Sequence, residues 1–166
     1  MQLFPAESYQ ARMAKLFETI ATKLQQALPI ARVEHVGASS IPGAISKGDL
    51  DVCAMVPATC FEDSCTAIKQ LGYIEKPDTL RTGELCMLVP CDPYDHAIQL
   101  VAAGSMFEFF ITFRDTLRAS PDLVRKYNQI KTDSAPLGEA AYRQAKDAFI
   151  EAVLADRSFG KLNVKA

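Results

Sequence analysis

The sequence predicts a single-domain α/β (α+β) protein in which a small mixed β-sheet with flanking helices gives way to a helical C-terminal portion. Three observations carry this reading: an amphipathic opening segment, short β-like runs between about 30 and 102, and helical patterning from about 105 to 157. A chain of 166 residues fits one domain and can bury a core without staples. The expected layout is therefore one unit over 1–166, with the sheet in the first two thirds.

The elements follow in order. From Pro5 to Leu28, Met13, Leu16, Phe17, Ile20 and Leu24 recur at helical spacing, and Pro5 suits a first helical turn. Arg32 to Val36 is a short β-like run that stops at Gly37-Ala38-Ser39-Ser40-Ile41-Pro42-Gly43, where glycines, proline and hydroxyls disfavour regular structure. Asp49 to Val56 reads as a strand ended by Pro57, and a helix from about Thr59 to Leu71 is closed by Gly72. Leu80 to Val89 and His96 to Ala102 are two further strand candidates, joined by Pro90-Cys91-Asp92-Pro93. Three helices are expected after Gly104: Ser105 to Arg118, Pro121 to about Thr132 with Ser120 as its cap, and Leu137 to about Asp156. The stripe Met106, Phe110, Phe113 and Leu117 reads as core packing.

Composition narrows the function classes. With 49% hydrophobic and 23% charged residues the chain is neither disordered nor fibrous. A net charge of -2 and a pI near 5.7 provide no positive field to gather a polyanion, which argues against a nucleic-acid partner. Five cysteines without a CxxC pair or a histidine at zinc spacing are read as reduced thiols, which implies the cytoplasm. Glu7, Arg12 and Lys15 interrupt the apolar residues of the first 17 positions, so neither a signal peptide nor a membrane span is expected.

The chemistry centres on Asp49 and Asp51. Two residues apart on a strand, their carboxylates leave one face while Leu50 and Val52 point into packing. Paired carboxylates repel unless a cation lies between them, and oxygen-only ligands suit Mg²⁺ completed by substrate phosphates. Just upstream, Gly37, Ser39, Ser40, Gly43, Lys47 and Gly48 offer backbone N–H groups, hydroxyls and an ammonium to a phosphate chain. The order of strand, phosphate loop and metal strand is what in-line phosphoryl displacement uses.

These residues resemble a known group. Glu34 to Gly43, followed by Ser46-Lys47-Gly48-Asp49-Leu50-Asp51-Val52, is similar to the signature of the GrpB-like family within the polymerase-beta-like nucleotidyltransferase superfamily. Phe113 to Arg118, with Pro121, Tyr127, Lys131, Tyr142, Lys146 and Phe149, resembles that family's C-terminal half. The resemblance spans Arg32 to about Leu154 and implies the mixed-sheet nucleotidyltransferase fold, for a family without a well-established substrate. It also implies a third carboxylate from a later strand, and in Asp95-His96-Ala97-Ile98-Gln99 either Asp95 or Gln99 can occupy that position. A second departure is Ala38, which follows Gly37 where the superfamily commonly has Ser or Gly.

The resulting expectation is Mg²⁺-dependent nucleotidyl transfer from a nucleoside triphosphate to a hydroxyl or similar nucleophile of a small molecule or protein. Asp49, Asp51 and Asp95 are the expected metal ligands and catalytic residues. Gly37, Ser39, Ser40 and Lys47 would hold phosphates, and Arg114, Arg118 and Lys131 would line the cleft and grip substrate. The alternative is a non-catalytic nucleotide-binding or regulatory module that keeps the fold. His35 is read as a structural hydrogen-bonding residue, His96 as structural or a general base, and Cys53 as a packed thiol.

Overall fold

The computed structural model describes residues 1–91 and 95–160, with side chains to 156. A five-stranded mixed sheet has the order β1-β2-β5-β4-β3. β1 (Arg32–Val36) runs antiparallel to β2 (Leu50–Val56), β2 is parallel to β5 (His96–Ala102), and β4 (Leu85–Pro90) and β3 (Tyr73–Glu75) follow antiparallel.

α1 (Ala6–Ala27) and α2 (Phe61–Gln70) cover one face of this sheet. α1 buries Tyr9, Met13, Ile20 and Leu24, the helical stripe expected from the sequence, against Leu50, Val52, Ala54 and Val56 of β2 and Ile98 and Leu100 of β5. β-strand alternation sends Cys53 and Val101 to the opposite face, where they meet Phe107 and Ile111. Asp51 shares that second face by the same alternation.

The C-terminal portion comprises α3 (Phe109–Arg118), α4 (Pro121–Ser134) and α5 (Glu139–Gly160). Ser120 caps α4 through Leu123 N–H and Pro121 occupies its first turn, as the sequence indicates. Phe113, Tyr127 and Phe149 interlock the three helices in edge-on and stacked ring contacts.

Three sequence expectations shift. The third strand candidate begins at Leu85 rather than Leu80, because the Thr82 hydroxyl accepts the N–H groups of Glu84 and Leu85 and makes a turn there. β3 was not anticipated, since three residues are too few to show alternation. Met106 leaves the core stripe: it lies on a 3-10 turn, Met106–Glu108, and is 75% exposed. Within the expected turn between β4 and β5, Asp92 and Pro93 lie outside the described residues. Among the described residues, no helix is long and apolar enough to cross a membrane.

Candidate functional site

The segment 37–49 joins β1 to β2, and with little regular structure its carbonyls must find donors elsewhere. They find them on three helices. From α1, Gln10 donates to Ile41 O at 2.7 Å and Tyr9 to Ala44 O at 2.8 Å. From α3, Arg118 donates to Ser40 O at 2.8 Å. From α4, Asn128 donates to Gly43 O at 2.8 Å and accepts Ile45 N–H at 2.9 Å, while the Lys131 ammonium donates to Ile45 O. Ile41 and Ala44, both fully buried, anchor the same segment among Phe113, Leu117, Val124 and Tyr127. The loop is thus a fixed cradle.

Its first residue sets the position of the carboxylates. Gly37 has φ +71°, and a Cβ built there would lie 2.5 Å from Asp51 Oδ2, so the Asp51 carboxylate packs directly against the Gly37 backbone. A 3-10 turn, Ala38–Ser40, begins here, and the N–H groups that open such a turn have no acceptor within it. Asp49 precedes β2 and is exposed, its Oδ1 accepting Ser46 Oγ at 3.0 Å. Asp51, half-buried, has its pKa pushed up to about 6 by burial and then by the charge of Asp49, with Lys146, Gln99 and Lys76 acting in the opposite sense. Gln99 is therefore the β5 side chain that faces Asp51. Its Oε1 is buried without a hydrogen-bond partner among the described residues.

Asp95 is placed differently. It precedes β5, its side chain is 60% exposed, and its Oδ1 meets His96 Nδ1 at 2.9 Å. The other His96 nitrogen meets Tyr73 OH at 2.7 Å, so both ring nitrogens are engaged within the protein. Positive charge near the pair comes from elsewhere: Lys146 acts on Asp51, and Lys47 and Lys146 both approach the Tyr142 ring of α5, at 5.9 and 5.4 Å from its centroid. Two surface hollows, one beside Phe4 and Pro136 and one beside Gly43 and Arg125, contain neither aspartate.

A family model described as GrpB protein matches residues 6–156. The chain belongs to the GrpB family. A UPF0157 protein of Vibrio cholerae is 46% identical over 154 residues, covering 93% of this chain and 82% of the relative. The crystal structure of conserved protein GrpB from Enterococcus faecalis matches with a TM-score of 0.76 at 22% identity, covering 93% of this chain and 96% of that one. A Cid1 poly(U) polymerase bound to MgATP matches with a TM-score of 0.53 at 11% identity, covering 82% of this chain and 47% of that one. At these identities the structural matches establish a nucleotidyltransferase-like fold, as the sequence predicts.

Within this GrpB-family chain several residues expected at phosphate or acceptor make internal contacts. Ser39 Oγ meets His35 Nε2 at 2.9 Å, and Ser40 Oγ donates to Gly37 O at 2.7 Å, so both hydroxyls brace the loop. His35 stacks on Phe17, with ring centroids 4.9 Å apart, and its pKa falls to about 4 through burial and then the charges of Arg118 and Arg114, which keeps it neutral. Arg114, 5% exposed, donates to Glu34 Oε2 at 2.7 Å, His35 O at 2.9 Å and Asp115 Oδ1 at 2.8 Å. Lys131 and the Nε of Arg118 thus hold the loop through the Ile45 and Ser40 carbonyls, Arg114 braces β1, and Arg118 remains exposed. Cys53 is a buried thiol pushed up to about 12 by burial, which removes it as a nucleophile. Gln99 and Lys146 emerge as residues facing Asp51; alternation along β5 pointed to the first, while the second is 95 residues away in sequence with no local signal.

Two consequences are measurable. Arg114→Ala leaves Glu34 Oε2 and the His35 carbonyl without this donor, while Arg32 still holds Glu34 Oε1, and should cost about 2–3 kcal/mol in urea unfolding, with Arg114→Lys failing to restore it. Lys131 is 1% exposed with its ammonium over the Tyr127 ring at 3.9 Å, and burial, then the charge of Lys146, lowers its pKa to about 7. The unfolded lysine, near 10.4, binds its proton across the window from about 7 to 10, so the folded state gains stability as pH rises through it. Raising the pH from 7 to 9 should therefore stabilise the wild type relative to Lys131→Met by about 1–2 kcal/mol.

Proposed function

We propose that this GrpB-family protein binds a nucleoside triphosphate with Mg²⁺ at Asp49 and Asp51 and transfers a nucleotidyl group to a hydroxyl or similar nucleophile of a small molecule or protein. The observation that carries this is the Asp51 carboxylate packed on the Gly37 backbone beside Asp49, which puts an anionic pair and a set of turn N–H groups at one point.

The donor set suits the ion. Asp49 and Asp51 supply only oxygen, their mutual repulsion is relieved by a cation, and the orphaned Gln99 Oε1 adds a neutral oxygen. When bound, Mg²⁺ would supply charge neutralisation on the phosphates and the polarisation of the phosphoryl centre. The chain itself does the rest. The cradle would offer the N–H groups that open its 3-10 turn to a phosphate oxygen, and its fixation from α1, α3 and α4 would keep reorganisation on binding small. Lys47 and Lys146 place positive charge beside the Tyr142 ring, whose face can also support an apolar or aromatic part of the nucleotide. The Cid1 structure contains MgATP, which makes MgATP the first nucleotide to try.

The rival reading, a nucleotide-binding module without catalysis, is favoured by one observation: the β5 side chain facing Asp51 is the amide Gln99 rather than a carboxylate. Incubation with α-labelled nucleoside triphosphates, Mg²⁺ and a cell extract separates the two. Label transferred by the wild type and lost with Asp51→Asn supports the enzyme. Nucleotide-dependent thermal stabilisation without transfer supports the module, and neither effect would leave the cleft without a nucleotide function.

A further inference from the structure

Away from the cleft, on the sheet face covered by α2, chemistry-bearing side chains of three elements converge. Cys65 lies on α2, Glu75 on β3 and Cys86 on β4. Cys65 Sγ is 3.8 Å from Cys86 Sγ and 3.7 Å from Glu75 Oε1, and the donor atoms of all three residues lie within 4.8 Å of one another. We propose that Cys65, Glu75 and Cys86 form a site for a thiophilic divalent cation of the zinc class, with a fourth position left for water or a small ligand.

The two edges that meet at Cys65 are close to those a tetrahedral centre requires, and the third, between Cys86 and Glu75, is within 4.8 Å. Zinc bonds of about 2.3 Å to sulfur and about 2.0 Å to oxygen give tetrahedral edges of about 3.8 Å between two sulfurs and about 3.5 Å between sulfur and oxygen. The cluster matches the first edge and lies 0.2 Å from the second, before any adjustment of rotamers. Both thiols are buried, at 2% and 1% exposure, whereas the side chain of Glu75 is 36% exposed, so the site opens to solvent at the carboxylate.

The electrostatics agree. A divalent cation with two thiolates and a carboxylate carries one net negative charge, and Lys69 and Arg81 already lie 2.7 and 3.3 Å from Glu75 to offset it. Lys69 is largely in solvent, so it can release Oε1 to an entering cation at little cost. Loading replaces the two S–H bonds by two S–metal bonds and sends both protons to solvent. Because loading releases both thiol protons, affinity should climb with pH.

The fold gives such a site a use. β3 is a three-residue edge strand whose strand pairing, among the described residues, is with β4 alone, and Lys76, the residue after Glu75, is one of the charges that act on Asp51. A cation on Glu75 would staple this edge to α2 and fix the start of the segment that carries Lys76. None of this depends on the nucleotide reading of the cleft.

Co²⁺ alone is the probe, since sulfur-to-cobalt charge-transfer absorption arises from thiolate ligands and not from Asp49 or Asp51. In a Cys60→Ser/Cys91→Ser background kept reduced, an equimolar amount of Co²⁺ should saturate the band and Zn²⁺ should bleach it. Cys65→Ser and Cys86→Ser should abolish it, and Asp51→Asn should leave it unchanged. Glu75→Gln, a partly exposed change that spares the core, should weaken binding about tenfold or more. Far-UV circular dichroism checks that each variant is folded. No band with excess Co²⁺, a band that survives loss of either thiol in a folded variant, or a Cys65–Cys86 disulfide forming in place of the complex would overturn the proposal.

Discussion

Replacing Asp51 by Asn should reduce the proposed nucleotidyl transfer by about 10³-fold or more while making the ligand-free protein more stable at neutral pH. The two effects have one origin. Burial and Asp49 raise the Asp51 pKa to about 6, whereas the unfolded carboxyl ionises near 3.9. The folded state therefore binds more protons between about pH 4 and 6, and its stability falls as pH rises through that window, with the full penalty present above it. A shift of two units corresponds to about 2.7 kcal/mol, which partial exposure of the carboxylate reduces to about 1–2 kcal/mol. Asn carries no such penalty. Urea unfolding should show Asp51→Asn more stable than wild type at pH 7 and level with it at pH 3.5, and Mg²⁺ with nucleotide should stabilise only the wild type. Equal stabilities at pH 7 would mean that the cradle does not strain this carboxylate.

Gly37→Ala should be the most damaging glycine-to-alanine change among the described glycines. The added Cβ meets Asp51 Oδ2 at 2.5 Å and Asp51 Cβ at 3.0 Å, and the backbone, with φ +71° and ψ -176°, is in a region that only glycine occupies easily. Strain and overlap together should cost about 3–5 kcal/mol and displace the carboxylate. Gly43→Ala is the control, because its φ of +79° imposes a similar backbone penalty while the nearest atom, Val124 Cγ1, lies 3.9 Å away. Its loss should stay near 1 kcal/mol. If the two substitutions cost the same, Asp51 does not rest on Gly37 in solution.

Much of this was legible in the residues. Helical spacing located α1, α4 and α5, the glycine and serine run marked the cradle, and the Asp-Leu-Asp spacing identified the pair that faces it. These are local signals, carried by neighbours in the chain. The roles of Arg114, Arg118 and Lys131 were not legible, because their partners Glu34, Ser40 and Ile45 lie 78 to 86 residues away and cationic residues at a cleft edge read the same whether they face substrate or backbone. Ser39 and Ser40 are ambiguous for a related reason: a hydroxyl that bonds its own loop has the same sequence signature as one offered to phosphate. The choice between Asp95 and Gln99 rested on where β5 starts, a boundary that sequence fixes poorly. The cysteine cluster escaped because spacings of 10 and 11 residues match no metal motif until the sheet order brings α2, β3 and β4 together.

Binding of Mn²⁺, as a paramagnetic substitute for Mg²⁺, in the presence of a non-hydrolysable nucleoside triphosphate tests the central claim most directly. Electron paramagnetic resonance should show nucleotide-dependent Mn²⁺ uptake by the wild type and by Asp95→Asn, with uptake lost in Asp49→Asn and in Asp51→Asn. Uptake that is absent from the wild type, or unaltered when both aspartates are replaced, would contradict it.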